Sequence, residues 1–163
     1  MNKLNPKYFG GALALDKELM EEQRQYLMAF SRTRRMKRDA ELAKALPDPL
    51  REAVWLDIGE EGGYYVGGST DDESILKHSI PPIEQPSINC KWEPSISGKS
   101  IVWAGNKFFG YIEWLEYLIE HFIEPWGREI NGMIEIKNEA DDVLGYIKVI
   151  KNKVEVKYEH KNR

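Results

Sequence analysis

At "PWG", residues 125–127, the spacing of apolar residues changes from about 3.6 to 2, and that change limits what the chain can fold into. Before it, residues 106–124 read as the strongest helix, with Phe108, Phe109, Ile112, Leu115, Ile119 and Phe122 on an inward stripe. Pro125 and Gly127 end that helix. After it, "INGMIEIK", "GYIKVIK" and "KVEVKYE" alternate apolar with polar residues, and "NEADDVL" and "KNK" supply turns. An amphipathic helix running into an antiparallel meander points to an α+β architecture.

The rest of the chain fits that frame. "YFGGALALDK" alternates through Phe9, Leu13 and Leu15 and predicts a strand, with Asp16 as the cap of a following helix. That helix carries Leu19, Met20, Gln23, Tyr26, Leu27 and Phe30 on its apolar stripe. A short helix over "DAELAKAL", capped by Asp39, should stop at Pro47 and Pro49. "INCKWE" and "SIVWAG" predict two strands joined by "PSISGK", with Trp92 and Trp103 facing each other across them. Residues 57–90 form a loop-rich segment with a short strand at Tyr64–Val66. At 163 residues the chain reads as one α+β domain over 1–163, with a mostly antiparallel sheet packed against two main helices.

Several function classes lose support at this level. The single cysteine, Cys90, allows no internal disulfide, and "MNKLNPKYFGGALAL" has no apolar core of a signal peptide. Both observations lead us to expect a cytoplasmic protein. "FFGYIEWLEYLIEHFI" is interrupted by Glu113, Glu116, Glu120 and His121, so no membrane span is expected. "SGKS" at 97–100 resembles the end of a phosphate-binding loop, but Glu93 stands where the first glycine belongs and a strand follows; a hairpin turn is the better reading. Glu113, Glu116, Glu120 and Glu124 share one helix face and read as solvated. His78, His121 and His160 stand in no metal-binding spacing, so no metal and no cofactor is expected. Cys90 alternates with Ile88 and Trp92, as a buried structural thiol does. Nothing in the pattern marks a catalytic centre, and the chain is expected not to be an enzyme.

Charge is the more informative signal. The net charge is −4, but residues 1–46 carry +4, residues 57–142 carry −11 and residues 143–163 carry +4. Such asymmetry speaks to partners rather than fold. The densest cationic run is "RTRRMKR", with Arg32, Arg34, Arg35, Lys37 and Arg38 in seven positions. It reads either as a solvated helix end that complements the helix dipole, or as an anion footprint for phosphate backbone or an acidic protein. Four of its five cations are arginines, which suits bidentate recognition. Tyr64 and Tyr65, in the glycine-rich "GEEGGYYVGG", are the stacking candidates beside it.

"FSRTRRMKRD", "LPDPLREAVWLDIGEEGGYYVGG", "PPIEQPSINCKWEPS" and "IVWAGNKFFGYIEWLEYLIEHFIEPWGREINGMIEI" together resemble a set of small proteins encoded by bacteriophages and prophages. The run "YIEWLEYLIEHFIEPWG" followed by "NG" is the most specific part. The family pattern is richer in glycine ahead of Trp92, where this chain has "EQPSINCKW". The resemblance implies a phage-type accessory protein, and such proteins are often inhibitors of host defence, anti-CRISPR proteins among them. The expected partner is then a bacterial defence protein such as a CRISPR nuclease, or its nucleic acid. The alternative is a nucleotide or nucleic-acid binding module, a sponge for a signalling nucleotide included, working through the basic run, Tyr64 and Tyr65.

Overall fold

The computed structural model describes residues 6–68 and 71–159. In chain order the elements are β1 (Tyr8–Leu15), α1 (Glu21–Arg32), β2 (Lys37–Arg38), α2 (Ala40–Lys44), α3 (Pro49–Ala53), a 3-10 turn at Glu60–Gly62, β3 (Ile75–Lys77), β4 (Trp92–Pro94), β5 (Ser100–Trp103), α4 (Tyr111–Leu118), a π-helical turn at Ile119–Ile123, then β6 (Ile130–Lys137), β7 (Val143–Ile150) and β8 (Lys153–Tyr158). The class is α+β, and every strand pairing among the described residues is antiparallel. The chain divides into two compact units: Leu19–Cys90 is one, and the described residues on either side of it form the other.

The flanking unit is built on a six-stranded sheet of order β4-β5-β1-β6-β7-β8. Its register follows the alternation in the sequence: Phe9, Leu13 and Leu15 share a face with Ile130, Ile134 and Ile136, and all six are buried. Ile147 and Val149 of β7 extend that face. Two glycines let β1 and β6 come close. A Cβ on Gly11 (φ 112°) would stand 2.8 Å from the Met133 carbonyl, and one on Gly132 (φ 148°) would stand 2.9 Å from that of Ala12. Trp92 and Trp103 are cross-strand partners, as expected, and "SGKS" is the hairpin turn, with Gly98 at φ 74°. Trp92 donates its indole N–H to the Tyr111 carbonyl (2.8 Å), tying β4 to the start of α4.

The helix before residue 125 is shorter than its pattern predicts. Gly110 sits at φ 69° in the left-handed region and starts α4 at Tyr111. Phe109 therefore lies ahead of the helix and is 65% exposed instead of inward, while Phe108, Leu115 and Phe122 are buried. The four glutamates of the helix are exposed.

In the Leu19–Cys90 unit, α1 buries Gln23, Tyr26, Leu27, Phe30 and Ser31 at helical spacing and contacts α3. Asp16 does not cap α1. Gln23 does so, its Oε1 accepting the Met20 N–H (2.9 Å), and Asp16 instead accepts the Glu129 N–H (2.9 Å). Asp39 caps α2 as expected, accepting from the Leu42 N–H (3.1 Å). Pro49 opens a helix rather than stopping one, because the first helical position needs no N–H donor. The strand expected at Tyr64–Val66 does not form, since Tyr64 ends a turn and Tyr65 and Val66 are irregular, and β2 and β3 form a small ribbon that the pattern did not announce.

Candidate functional site

The basic run is where sequence and structure differ most. Thr33 ends α1 in extended backbone (φ −94°, ψ 129°), so the residues after it run as a thread and not as a helix end. The loop-rich segment folds along that thread. Arg35 N–H bonds the Ile88 carbonyl (2.9 Å), Lys37 N–H that of Ile80 (2.7 Å) and Asp39 N–H that of Ser74 (2.7 Å). A loop rich in glycine and proline leaves many carbonyls outside any ladder, and those carbonyls need donors once buried. Arginine, with five N–H donors, can supply them.

Arg35, at 2% exposure, does so directly. It donates to the carbonyls of Gly63 (2.7 Å) and Tyr65 (3.0 Å) and to Gln85 Oε1 (3.2 Å), and its guanidinium lies over the Phe30 ring. Arg38, also at 2%, bonds the Asp72 carboxylate (2.8 Å) and the Ser74 hydroxyl (2.7 Å), and stacks over Tyr65 at 4.3 Å. Gly62 makes room for it, since a Cβ there would lie 2.9 Å from the Arg38 Cβ. Lys37 pairs with Glu61 (3.4 Å), and half-buried Arg34 bonds the His78 carbonyl (2.9 Å). Arg32 alone of the five is exposed.

The stacking candidates are likewise internal. Tyr65 is 3% exposed, and burial pushes its hydroxyl pKa up. Tyr64 is half-buried, its carbonyl accepting from the Tyr26 hydroxyl (2.8 Å). The structure thus brings Arg35, Arg38 and Tyr65 together with the acidic middle of the chain, inside the unit. An external anion would have to displace those internal partners to reach their guanidinium groups. Burial would raise the Asp72 pKa, but the Ser74 hydroxyl, Arg38 and the Ser74 N–H outweigh it and hold the carboxyl below its ordinary value.

The unit's most exposed aromatic is Trp55, at 92%. It follows α3 and closes a Schellman motif: Trp55 N–H bonds the Glu52 carbonyl (3.1 Å) and Leu56 N–H that of Arg51 (3.4 Å). The left-handed position of this motif usually holds glycine. Trp55 occupies it at φ 61°.

The turn is anchored from beneath. Buried Arg51 donates to the Leu56 carbonyl (2.6 Å) and to the buried Asp48 carboxylate (2.7 Å), which in turn accepts the Val66 N–H (3.2 Å). Burial pushes the Asp48 pKa up, while Arg51 and the Val66 N–H pull it back. Residues 52–61 hold Glu52, Asp57, Glu60 and Glu61 and no lysine or arginine, and the first three are exposed.

Tryptophan is ordinarily a core residue, so residue type alone does not single out Trp55. The signal that could have found it is a helix opened by Pro49 that must end at Val54, with a tryptophan in the next position, usually glycine, amid acids.

Other features carry less chemistry. The open face of the sheet holds a groove of about 450 Å3 lined by Met133, Tyr146, Lys148, Glu155 and Lys157, with Lys148 directly opposite Glu155 as on a solvated face. Cys90 is fully buried, His121 stacks on Tyr117 at 4.0 Å, and His160 lies outside the described residues. No described helix is long and apolar enough to cross a membrane. Set beside models of known protein families, curated proteins and solved structures, the chain matches none.

Proposed function

We propose that this protein is a non-enzymatic inhibitor of a bacterial defence system, of the anti-CRISPR kind, and that it acts by docking the acidic turn around Trp55 onto a cationic nucleic-acid-binding surface of a nuclease effector. One observation carries the reading. A bulky aromatic stands almost fully exposed in a backbone conformation that costs it roughly 1–2 kcal/mol, on a turn braced by a buried ion pair. Folding gains nothing from that placement. Tryptophan is enriched among the few residues that dominate protein interfaces. The exposed charge of Glu52, Asp57 and Glu60 is complementary to a surface made for phosphate. The resemblance to phage proteins supports the class of target.

The reading through the basic run is weaker, because Arg35, Arg38 and Tyr65 already serve the interior. The test is a set of cleavage reactions with purified RNA-guided nucleases, with and without the protein. Inhibition of at least one effector is expected, together with its loss in Trp55→Ala and in the triple variant Glu52→Lys, Asp57→Lys, Glu60→Lys. Full activity of every effector in the presence of the protein, or equal inhibition by Trp55→Ala, would sink the reading.

A further inference from the structure

The sheet of the flanking unit has two edges of very different character. At one end β4 is three residues long and includes Pro94, which has no N–H to offer. At the other end β8 is six residues long and pairs only with β7 among the described residues. Between β8 and the acidic helix face lies a groove of about 460 Å3 lined by Glu116, Glu120, Glu124, Lys153 and Val154, so the helix leaves that margin of the strand open. Val156, further along β8, is 37% exposed.

The backbone of β8 says which groups face outward. Glu159 N–H bonds the Leu144 carbonyl (2.8 Å), and the strands join through a two-residue turn with Lys151 at φ 47° and Asn152 at φ 69°. In an antiparallel pair, hydrogen bonding alternates along the strand. Lys153, Glu155, Lys157 and Glu159 therefore point their N–H and C=O groups toward β7. Val154, Val156 and Tyr158 point theirs away from it.

We infer that β8 is a self-pairing edge: two copies of this chain join β8 to β8 antiparallel, about a two-fold axis at Val156, into one continuous sheet. The side chains select that register. Centred on Val156, the pairing sets Val154 against Tyr158 and Val156 against itself on one face. On the other face it sets Glu155 against Lys157 and Lys153 against Glu159, each twice by symmetry. The three pairs with outward backbone groups form about six new hydrogen bonds. A shift of the axis by one residue destroys the match. Centred on Glu155, that residue meets itself and Lys153 meets Lys157; centred on Lys157, that residue meets itself and Glu155 meets Glu159. Like charges directly opposite are unfavourable, so the Val156 register is favoured over both of its neighbours. Edge lysines usually guard against pairing, but here each has a glutamate to meet.

The test is the molar mass of the full chain by analytical ultracentrifugation, from about 1 μM to about 1 mM, a range that spans weak and firm association. The wild type should dimerise. Glu155→Lys should be monomeric, because the new cation faces Lys157 of the second copy. Adding Lys157→Glu should restore the dimer by exchanging the two charges. Val156→Pro removes only an outward N–H, which an edge strand tolerates, and should also give a monomer. A monomeric wild type throughout the range overturns the inference. So does a Glu155→Lys dimer as tight as wild type, or a charge exchange that fails to restore association.

Discussion

Arg38 shows how one side chain can carry a loop. Its guanidinium is buried against Asp72 and Ser74, and that contact ties the loop of residues 71–74 to the thread after α1. Removing one partner of a buried ion pair leaves the other uncompensated, at about 3–5 kcal/mol. Arg38→Ala should therefore lower the denaturation midpoint sharply in an equilibrium unfolding titration. Arg32→Ala, at the exposed position, should stay within about 0.5 kcal/mol of wild type. Equal, small effects at both positions would mean that the run is solvated after all.

Trp55 is the opposite case. Trp55→Gly relieves a left-handed strain and places the usual residue in the Schellman motif. It should leave stability unchanged or raise it by up to about 1 kcal/mol while removing inhibition of the target effector. A large loss of stability on calorimetry would show that the indole supports the fold.

At the scale of elements, α4 and its π-helical extension gather most of the apolar burial that faces the sheet. Leu115 is fully buried at the centre of α4, next to fully buried Trp114. Leu115→Asp places an unpaired carboxylate there, at several kcal/mol against a total stability of about 5–15 kcal/mol. It should unfold the protein at room temperature by circular dichroism. Glu116→Ala, one residue along on the exposed face, should melt as wild type. A folded Leu115→Asp protein would refute the phase of the helix.

The same element shows what a local conformation does to a periodic pattern. The apolar spacing runs from Phe108, but Gly110 in the left-handed region resets the helix start, and Phe109 turns outward, with the Lys107 ammonium 5.2 Å from its ring centroid.

At the scale of the molecule, the two units have interiors of different kinds. The sheet unit is held by Phe9, Leu13, Trp92, Ile101, Leu115, Ile134 and Ile147, which do not titrate. The Leu19–Cys90 unit buries Arg35, Arg38, Arg51 and Asp48 and leans on Asp72. The pKa of Asp72 is lowered in the folded state, so its contribution is complete above the ordinary carboxylate value of 3.8. That contribution is lost as the pH falls below 3.8 through the lowered folded value. Asp48 is raised by burial, so protonating it relieves a cost and does not drive acid unfolding. Amide hydrogen exchange at about pH 3 should thus show protection lost around residues 71–77 before it is lost in β6 and β7. Asp72→Asn should lower stability at neutral pH and flatten this acid dependence. Simultaneous loss of protection in both units, with an unchanged profile in the variant, would assign the acid sensitivity elsewhere.

Short-range physics was legible in the sequence alone. The alternation of β1, β6, β7 and β8, the Trp92–Trp103 hairpin, the stripe of α1 apart from exposed Met20, and the Asp39 cap each follow from a few neighbouring residues, and the structure keeps them. The α+β class follows from those elements.

Only the tertiary structure decided what the charges do. "RTRRMKR" reads the same whether its arginines face water or carbonyls. The answer depends on where residues 57–90 run, and that path is set by contacts such as Arg35 to Gly63 and Arg38 to Asp72, 28 and 34 residues apart in the chain. Trp55 was equally ambiguous, since tryptophan serves both in cores and as an exposed anchor. Its exposure comes from the left-handed turn that the Asp48–Arg51 pair holds in place. A cation is bound to no periodicity, so its place inside or outside is settled by which acceptors the rest of the fold leaves without a donor.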